Sequence, residues 1–409
     1  MPETPQTRWP ALAMIWFGGM ISVPSLVIGS TLVAGLPFFE ALLAGFVGFC
    51  VVTLYMSLES VAAVEQRLDT VSLATSSFGT RGARLLVGAA LGVSLIGWFG
   101  VQSDIAGASI ARIAALTWNV TLGAPVLSFA IGMVMMLTAV MGFQHLKWLN
   151  VLAVPCKIAL VVYAVVLTFQ AHSFDLITQY QPPEAQRLDL LTAIGLSIGF
   201  FSVGGVIGPD YAQHAATRRD AILGCVLGLL PAALGLAACG AMLAIVQRTY
   251  NVVEIYSRLD RPVLALSVLV LATWTTNVMN AYSSGLAINQ LLHWPARRRG
   301  VATVLAGCAG SLLAAAGALS HFQSFLMFLA ITIPPIAGVL VSDYWLARSY
   351  RRNEAAAYDL RGILAWAAGV ISMLAVTHPL RNVLGIVVAA AAHLVFVRVN
   401  APAVRSAAE

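Results

Sequence analysis

A chain of 409 residues that is 59% apolar and only 10% charged cannot shield its apolar side chains from water, which excludes an ordinary soluble domain, where about a quarter of residues are charged. The net charge of +6 calls for no nucleic-acid partner, because the basic residues sort by loop parity as those of a membrane protein do. Five cysteines scattered through apolar runs and seven dispersed histidines give neither zinc spacing nor a disulfide framework.

Apolar runs of bilayer-crossing length, about 17 to 25 residues, recur from Trp9 to Val397. Twelve spans are expected, at 10–33, 38–58, 83–113, 122–143, 148–170, 189–209, 219–246, 262–287, 300–318, 322–347, 362–377 and 382–398. They are continuously apolar rather than alternating, so helices and not a barrel are predicted. The polar connections are too short to bury a core, which confines function to the bundle.

Span 1 is too long for a cleavable leader and carries Gly18-Gly19-Met20-Ile21-Ser22-Val23-Pro24-Ser25, a helix-breaking run. Span 3 contains Gly97-Trp98-Phe99-Gly100-Val101-Gln102, with Trp98 and Gln102 on one helix face. A flat ring beside an amide that donates and accepts suits a flat heterocycle with alternating N–H and C=O groups; the same pair also reads as a core tryptophan beside an interhelical amide. Asp104 in span 3 and Lys157 in span 5, beside Pro155, put charge inside spans. Each costs about 2.5 to 3.5 kcal/mol at the bilayer centre on insertion scales, so both are expected to face the interior, as a structural pair or as a site of proton coupling.

Span 6 ends in a second breaking run, Gly199-Phe200-Phe201-Ser202-Val203-Gly204-Gly205-Val206-Ile207-Gly208-Pro209, followed by Asp210. It lies five spans after the first break and therefore faces the opposite way across the membrane. Interrupted segments at matching positions of two halves point to a transport site, although small residues also serve plain helix packing. Span 8 contains Trp274-Thr275-Thr276-Asn277, and span 10 contains Ile333-Pro334-Pro335-Ile336-Ala337-Gly338 and Asp343-Tyr344-Trp345. Of the 23 basic residues, most fall in loops on the side of both termini, which makes both termini cytoplasmic in a multi-pass protein of the cell inner membrane.

With Ser76-Ser77-Phe78-Gly79-Thr80-Arg81-Gly82 before span 3, these strings in this order make the chain resemble the cytosine, purine and hydantoin permeases, the nucleobase:cation symporter family. The resemblance runs through most of the chain. It implies an all-α membrane protein of leucine-transporter-like fold: one domain over 1–409, with a 5+5 inverted repeat (1–170 and 189–347), discontinuous helices 1 and 6, and two accessory helices within 362–398. It implies a ring sandwiched between Trp98 and Phe201. Gln102, the backbone from Phe200 to Gly204, Asn277 and Asn280 would read its edges. It also implies sodium between spans 1 and 8, on the carbonyls of Val23, Leu26 and Ala272 and the hydroxyls of Thr275 and Thr276. Those hydroxyls have the alternative of bonding the carbonyl one turn back. Lys157 would instead place its ammonium near the sodium position, as in some proton-coupled relatives of the fold.

The chain departs from the cytosine-permease pattern at Leu95, where those permeases carry glutamine, and at Phe200, where they carry serine; Gln102 looks like the hydantoin-type members. The expected activity is symport of a nucleobase such as cytosine with a cation, the alternative being a hydantoin, allantoin or hydroxymethylpyrimidine-type permease, with proton coupling as the alternative to sodium. No catalysis is expected. No cofactor is expected besides the coupling sodium ion or proton, and no obligate protein partner besides the lipid bilayer.

Overall fold

The structure, a computed structural model, describes residues 7–141, 155–159, 161–163, 165–166, 173–249, 251–259, 261–351, 356–376, 378 and 381–399. In chain order its main helices are α1 (Trp9–Met20), α2 (Val23–Val33), α3 (Phe38–Gln66), α4 (Thr70–Phe78), α5 (Thr80–Trp118), α6 (Ala124–Val140) and α7 (Leu190–Ala212). There follow α8 (Arg218–Gln247), α9 (Val252–Ser257), α10 (Pro262–Leu291), α11 (Arg299–Ala315), α12 (Ala318–Ala347), α13 (Leu360–Ala375) and α14 (Arg381–Val399). Every expected span except the fifth falls on a described helix; of 148–170, the described stretches 155–159, 161–163 and 165–166 are helical. Among the described residues, seven helices are long and apolar enough to cross a bilayer, eight if the bent pair α1 and α2 counts as one span, and α6, α11 and α13 are shorter apolar helices.

The first break forms where the sequence places it. Pro24 sits in the first turn of α2, where its missing N–H costs nothing, and the chain turns through Ile21 and Ser22. The two segments meet at 61°. Freed backbone groups find side-chain partners: Ser25 Oγ donates to the Met20 carbonyl at 2.6 Å and lies 3.1 Å from Ser22 Oγ. The second break is slighter than expected. It is confined to Ile207 (φ −83°, ψ 6°), and the segments on either side, Leu190–Val206 and Gly208–Ala212, run on as one 23-residue helix. Packing is the reason: a Cβ on Gly208 would lie 3.0 Å from both Met56 and Ser60 side chains, so α3 holds the second segment in line.

Span 2 is also longer than expected. Against the expected 38–58, α3 continues to Gln66 and buries Glu59 to 1% exposure.

The helices sort into two packing groups. α8 packs against α1, α2 and α3, and α3 against α7; α10 packs against α5, α6 and α11, and α5 against α6. Close approach within the first group rests on small residues. A Cβ on Gly29 would come within 2.0 Å of the Ala237 carbonyl, and one on Gly240 within 2.1 Å of the Leu26 carbonyl. Thr7 forms an isolated bridge with Ala215: Thr7 N–H donates to the His214 carbonyl at 2.8 Å and Ala216 N–H to the Thr7 carbonyl at 2.9 Å. Trp9 N–H donates to Asp220 Oδ1 at 2.9 Å, so the segment before α1 is tied to the start of α8.

Candidate functional site

The two groups enclose a cavity of about 130 Å³ between α1, α2, α5, α7 and α10. Helical spacing sets its walls. α5 presents Leu95, Trp98 and Gln102, and α10 presents Thr276, Met279, Asn280 and Ser283, each set on one face. α7 contributes Phe200, Phe201, Val203, Gly204 and Ile207, while the break between α1 and α2 contributes Met20, Ser22 and Pro24.

Trp98, 9% exposed, is held by three rings that meet it edge-on: Phe200 at 5.5 Å, Phe322 at 5.9 Å and Phe325 at 5.4 Å. Such T-shaped contacts fix the plane of the indole, which still lines the cavity. Phe201 also lines the cavity and lies edge-on to Trp16 at 6.1 Å; Trp16 in turn meets Tyr211 at 4.9 Å. The expected plates, Trp98 and Phe201, thus border one space, but Phe200 is the span-6 ring packed against the indole. The sequence reading missed Trp16, Tyr211, Phe322 and Phe325. For the last two a signal existed: aromatics three apart at the start of a span share a helix face.

Polar groups are few, and those in the wall are uncharged. Gln102 is 2% exposed, and its Oε1 has no hydrogen-bond partner among the described residues. Asn280 Nδ2 donates to Asn277 Oδ1 at 3.5 Å. Asn277, expected at the substrate, does not line the cavity. Fully buried, it donates to the Phe99 carbonyl at 3.1 Å and Ser103 Oγ at 2.8 Å, because one residue past Thr276 turns its side chain toward α5 and α6.

Three oxygens of the expected sodium set lie together on α10, where the Ala272 carbonyl accepts from Thr275 Oγ1 at 3.0 Å and from Thr276 Oγ1 at 3.3 Å, a donor set suited to a hard cation. The Leu26 carbonyl lies against Gly240 on α8, and Val23 is buried at the start of α2, which also packs against α10.

Asp104 is accounted for without Lys157. Its Oδ2 accepts from Leu319 N–H at 2.9 Å and its Oδ1 from Ser128 Oγ at 3.3 Å, which ties α5 to α6 and to the first turn of α12. Lys157 is 3% exposed and does not border the cavity.

Residues 3–401 match the model of a family described as permeases for cytosine/purines, uracil, thiamine and allantoin. The chain is similar to the cytosine permease of Escherichia coli K12, 27% identical over 369 residues that cover 90% of this chain and 84% of the relative. It is also similar to the hydantoin permease of Microbacterium maritypicum, 23% identical over 88% of this chain and 77% of the relative. Its fold matches that of Mhp1, a nucleobase-cation-symport-1 family transporter seen in a closed conformation with bromovinylhydantoin bound, at a TM-score of 0.80 and 21% identity over 98% of this chain and 96% of that one. The fold is therefore the twelve-helix, leucine-transporter-like one, and the chain is a multi-pass membrane protein.

Proposed function

This chain belongs to the permease family for cytosine, purines, uracil, thiamine and allantoin, and on that premise we propose that its cavity carries one small, neutral, planar heterocycle. It is a secondary active symporter of the nucleobase type and not an enzyme. One observation supports the choice of guest most: Gln102 Oε1 is buried without a partner among the described residues, in a cavity whose wall holds no charged side chain. Leaving a buried acceptor unmet costs about 1 to 3 kcal/mol, and a ring N–H removes that cost. A cationic guest such as thiamine would lie there without a counter-charge, which is far more expensive.

In this reading the ring lies on a face of Trp98, bounded by Phe201, with its edge toward Gln102, Asn280 and the backbone around Gly204. A nucleobase such as cytosine or uracil meets these demands. A hydantoin- or allantoin-type ring is the second reading, favoured by Leu95, which puts an apolar wall where cytosine permeases carry glutamine. The two packing groups rock against each other to expose the cavity to either side; each draws helices from both repeats, 1–170 and 189–347, and the accessory helices lie in 362–398. The cation is sodium or a proton. Basic loops support an inner-membrane location with both termini cytoplasmic.

Uptake of labelled cytosine, competed by uracil, hydantoin, allantoin, hydroxymethylpyrimidine and thiamine, with choline replacing sodium at two pH values, tests guest and ion together. A neutral ring is expected to compete and thiamine to fail. Strong competition by thiamine would refute the neutral-guest reading.

A further inference from the structure

Glu59 lies on α3 seven residues before Gln66, about 10 Å from the inner end of the helix at 1.5 Å per residue. It is 1% exposed, and neither carboxyl oxygen has a hydrogen-bond partner among the described residues. Its surroundings are not built to hold a charge. Tyr55, one turn away on α3, donates its hydroxyl to the Ser202 carbonyl at 3.2 Å, and Cys225 on α8 lies 3.4 Å from Ser60 Oγ. Three charged groups on the elements packed against α3 are bonded elsewhere. Asp210 on α7 accepts from Thr70 N–H at 2.8 Å, Asp343 on α12 accepts from Ser76 Oγ at 2.6 Å and pairs with Ser349, and Arg218 on α8 pairs with Glu65.

A buried carboxylate with no donor is among the most costly groups a membrane-embedded core can contain, and a bound proton removes most of that cost. Glu59 also sits one layer behind the wall of the cavity. Ile207 lines the cavity; Gly208, the next residue, packs on Met56 and Ser60, the neighbours of Glu59 on α3. The junction of α3, α7 and α8 thus shares the interrupted segment of α7 with the guest.

We propose that Glu59 is a proton-binding site of the transport cycle, loaded while α3, α7 and α8 are packed together and unloaded when the junction opens to water. Loading forms one O–H bond on a carboxylate oxygen, with the proton drawn from water; unloading returns it to water, and no other bond changes. A ring that braces Ile207 from the cavity side favours the packed arrangement, as does the proton, so each strengthens binding of the other. The inference rests on the symporter reading.

The test compares wild type with Glu59→Gln in proteoliposomes, at fixed sodium, with and without an inward proton gradient. Labelled-ring accumulation is measured there, and equilibrium binding on purified protein. Wild type is expected to accumulate several-fold more with the gradient; Glu59→Gln should bind the ring within twofold of wild type yet lose the gradient effect. Equal gradient dependence in the two proteins overturns the proposal, as would an ionised Glu59 held by internal water throughout, which gives that same result. Gradient-independent uptake by wild type also overturns it. Wild type that neither binds nor takes up any ring would instead sink the symporter reading. Should Glu59→Gln fail to reach the membrane, Glu59→Met replaces it, and a gradient effect on uptake equal to that of wild type then decides against the proposal.

Discussion

Trp98 and Gln102 act on the guest in different ways, and their variants should separate accordingly. Stacking of a flat ring on an aromatic is worth about 1 to 3 kcal/mol, so Trp98→Ala should weaken ring binding by roughly 5- to 150-fold while membrane levels stay normal. Equilibrium binding on purified protein checks it. Gln102→Leu should keep the stack and lose the edge contact, which lowers affinity most for rings that present an N–H there. Asn277 belongs to another class of effect. Its amide closes the α5/α6/α10 junction through Ser103 and the Phe99 carbonyl, so Asn277→Ala should cost about 1 to 3 kcal/mol of stability and leave the competition order unchanged. A thermal melt beside the competition series distinguishes the two. Trp98 and Gln102 were legible in the sequence because a spacing of four fixes a shared helix face. Asn277 was misplaced because Thr276 and Asn280 hold the cavity face of α10, and a one-residue step rotates the side chain about 100° away.

Breaks and close approaches govern the helices. Pro24 announced the α1/α2 break because proline chemistry is local, and the structure bends there by 61°. Gly208-Pro209 announced the position of the second break but not its size, since the alignment of the short segment depends on α3, far away in sequence. The length of α3 beyond 58 was hidden for the same reason, since α7 and α8, which pack against it, lie far away in sequence. Gly240→Ala would drive a methyl into the Leu26 carbonyl and should separate α2 from α8. A lowered melting temperature and reduced uptake are expected, whereas Gly235→Ala, with nothing near its Cβ, should be mild. Asp104→Ala removes the acceptor for Leu319 N–H and should loosen the first turn of α12, whose Phe322 and Phe325 rest on Trp98. Faster labelling of a cysteine placed at Ser320 by an impermeant reagent measures this.

On the scale of the molecule, class and span number were readable from composition and run length alone, because the bilayer imposes both. The proposed orientation rests on arginine placement. A C-terminal fusion is therefore expected to make a fluorescent protein glow and to leave alkaline phosphatase inactive; the reverse pair of results would invert the topology. The division into two packing groups was not readable from any run, since it depends on which small residues let α2 and α8 touch.

The parallel bridge at Thr7 has a practical side. With Thr7 clasped to His214 and Ala216, and Trp9 to Asp220, the entry to the first helix is stitched to the hairpin that joins the sixth and seventh spans. Cargo fused immediately upstream of Thr7 would tug on that stitch and so on the moving half of the carrier itself. Purification handles and reporters should hang from the opposite terminus.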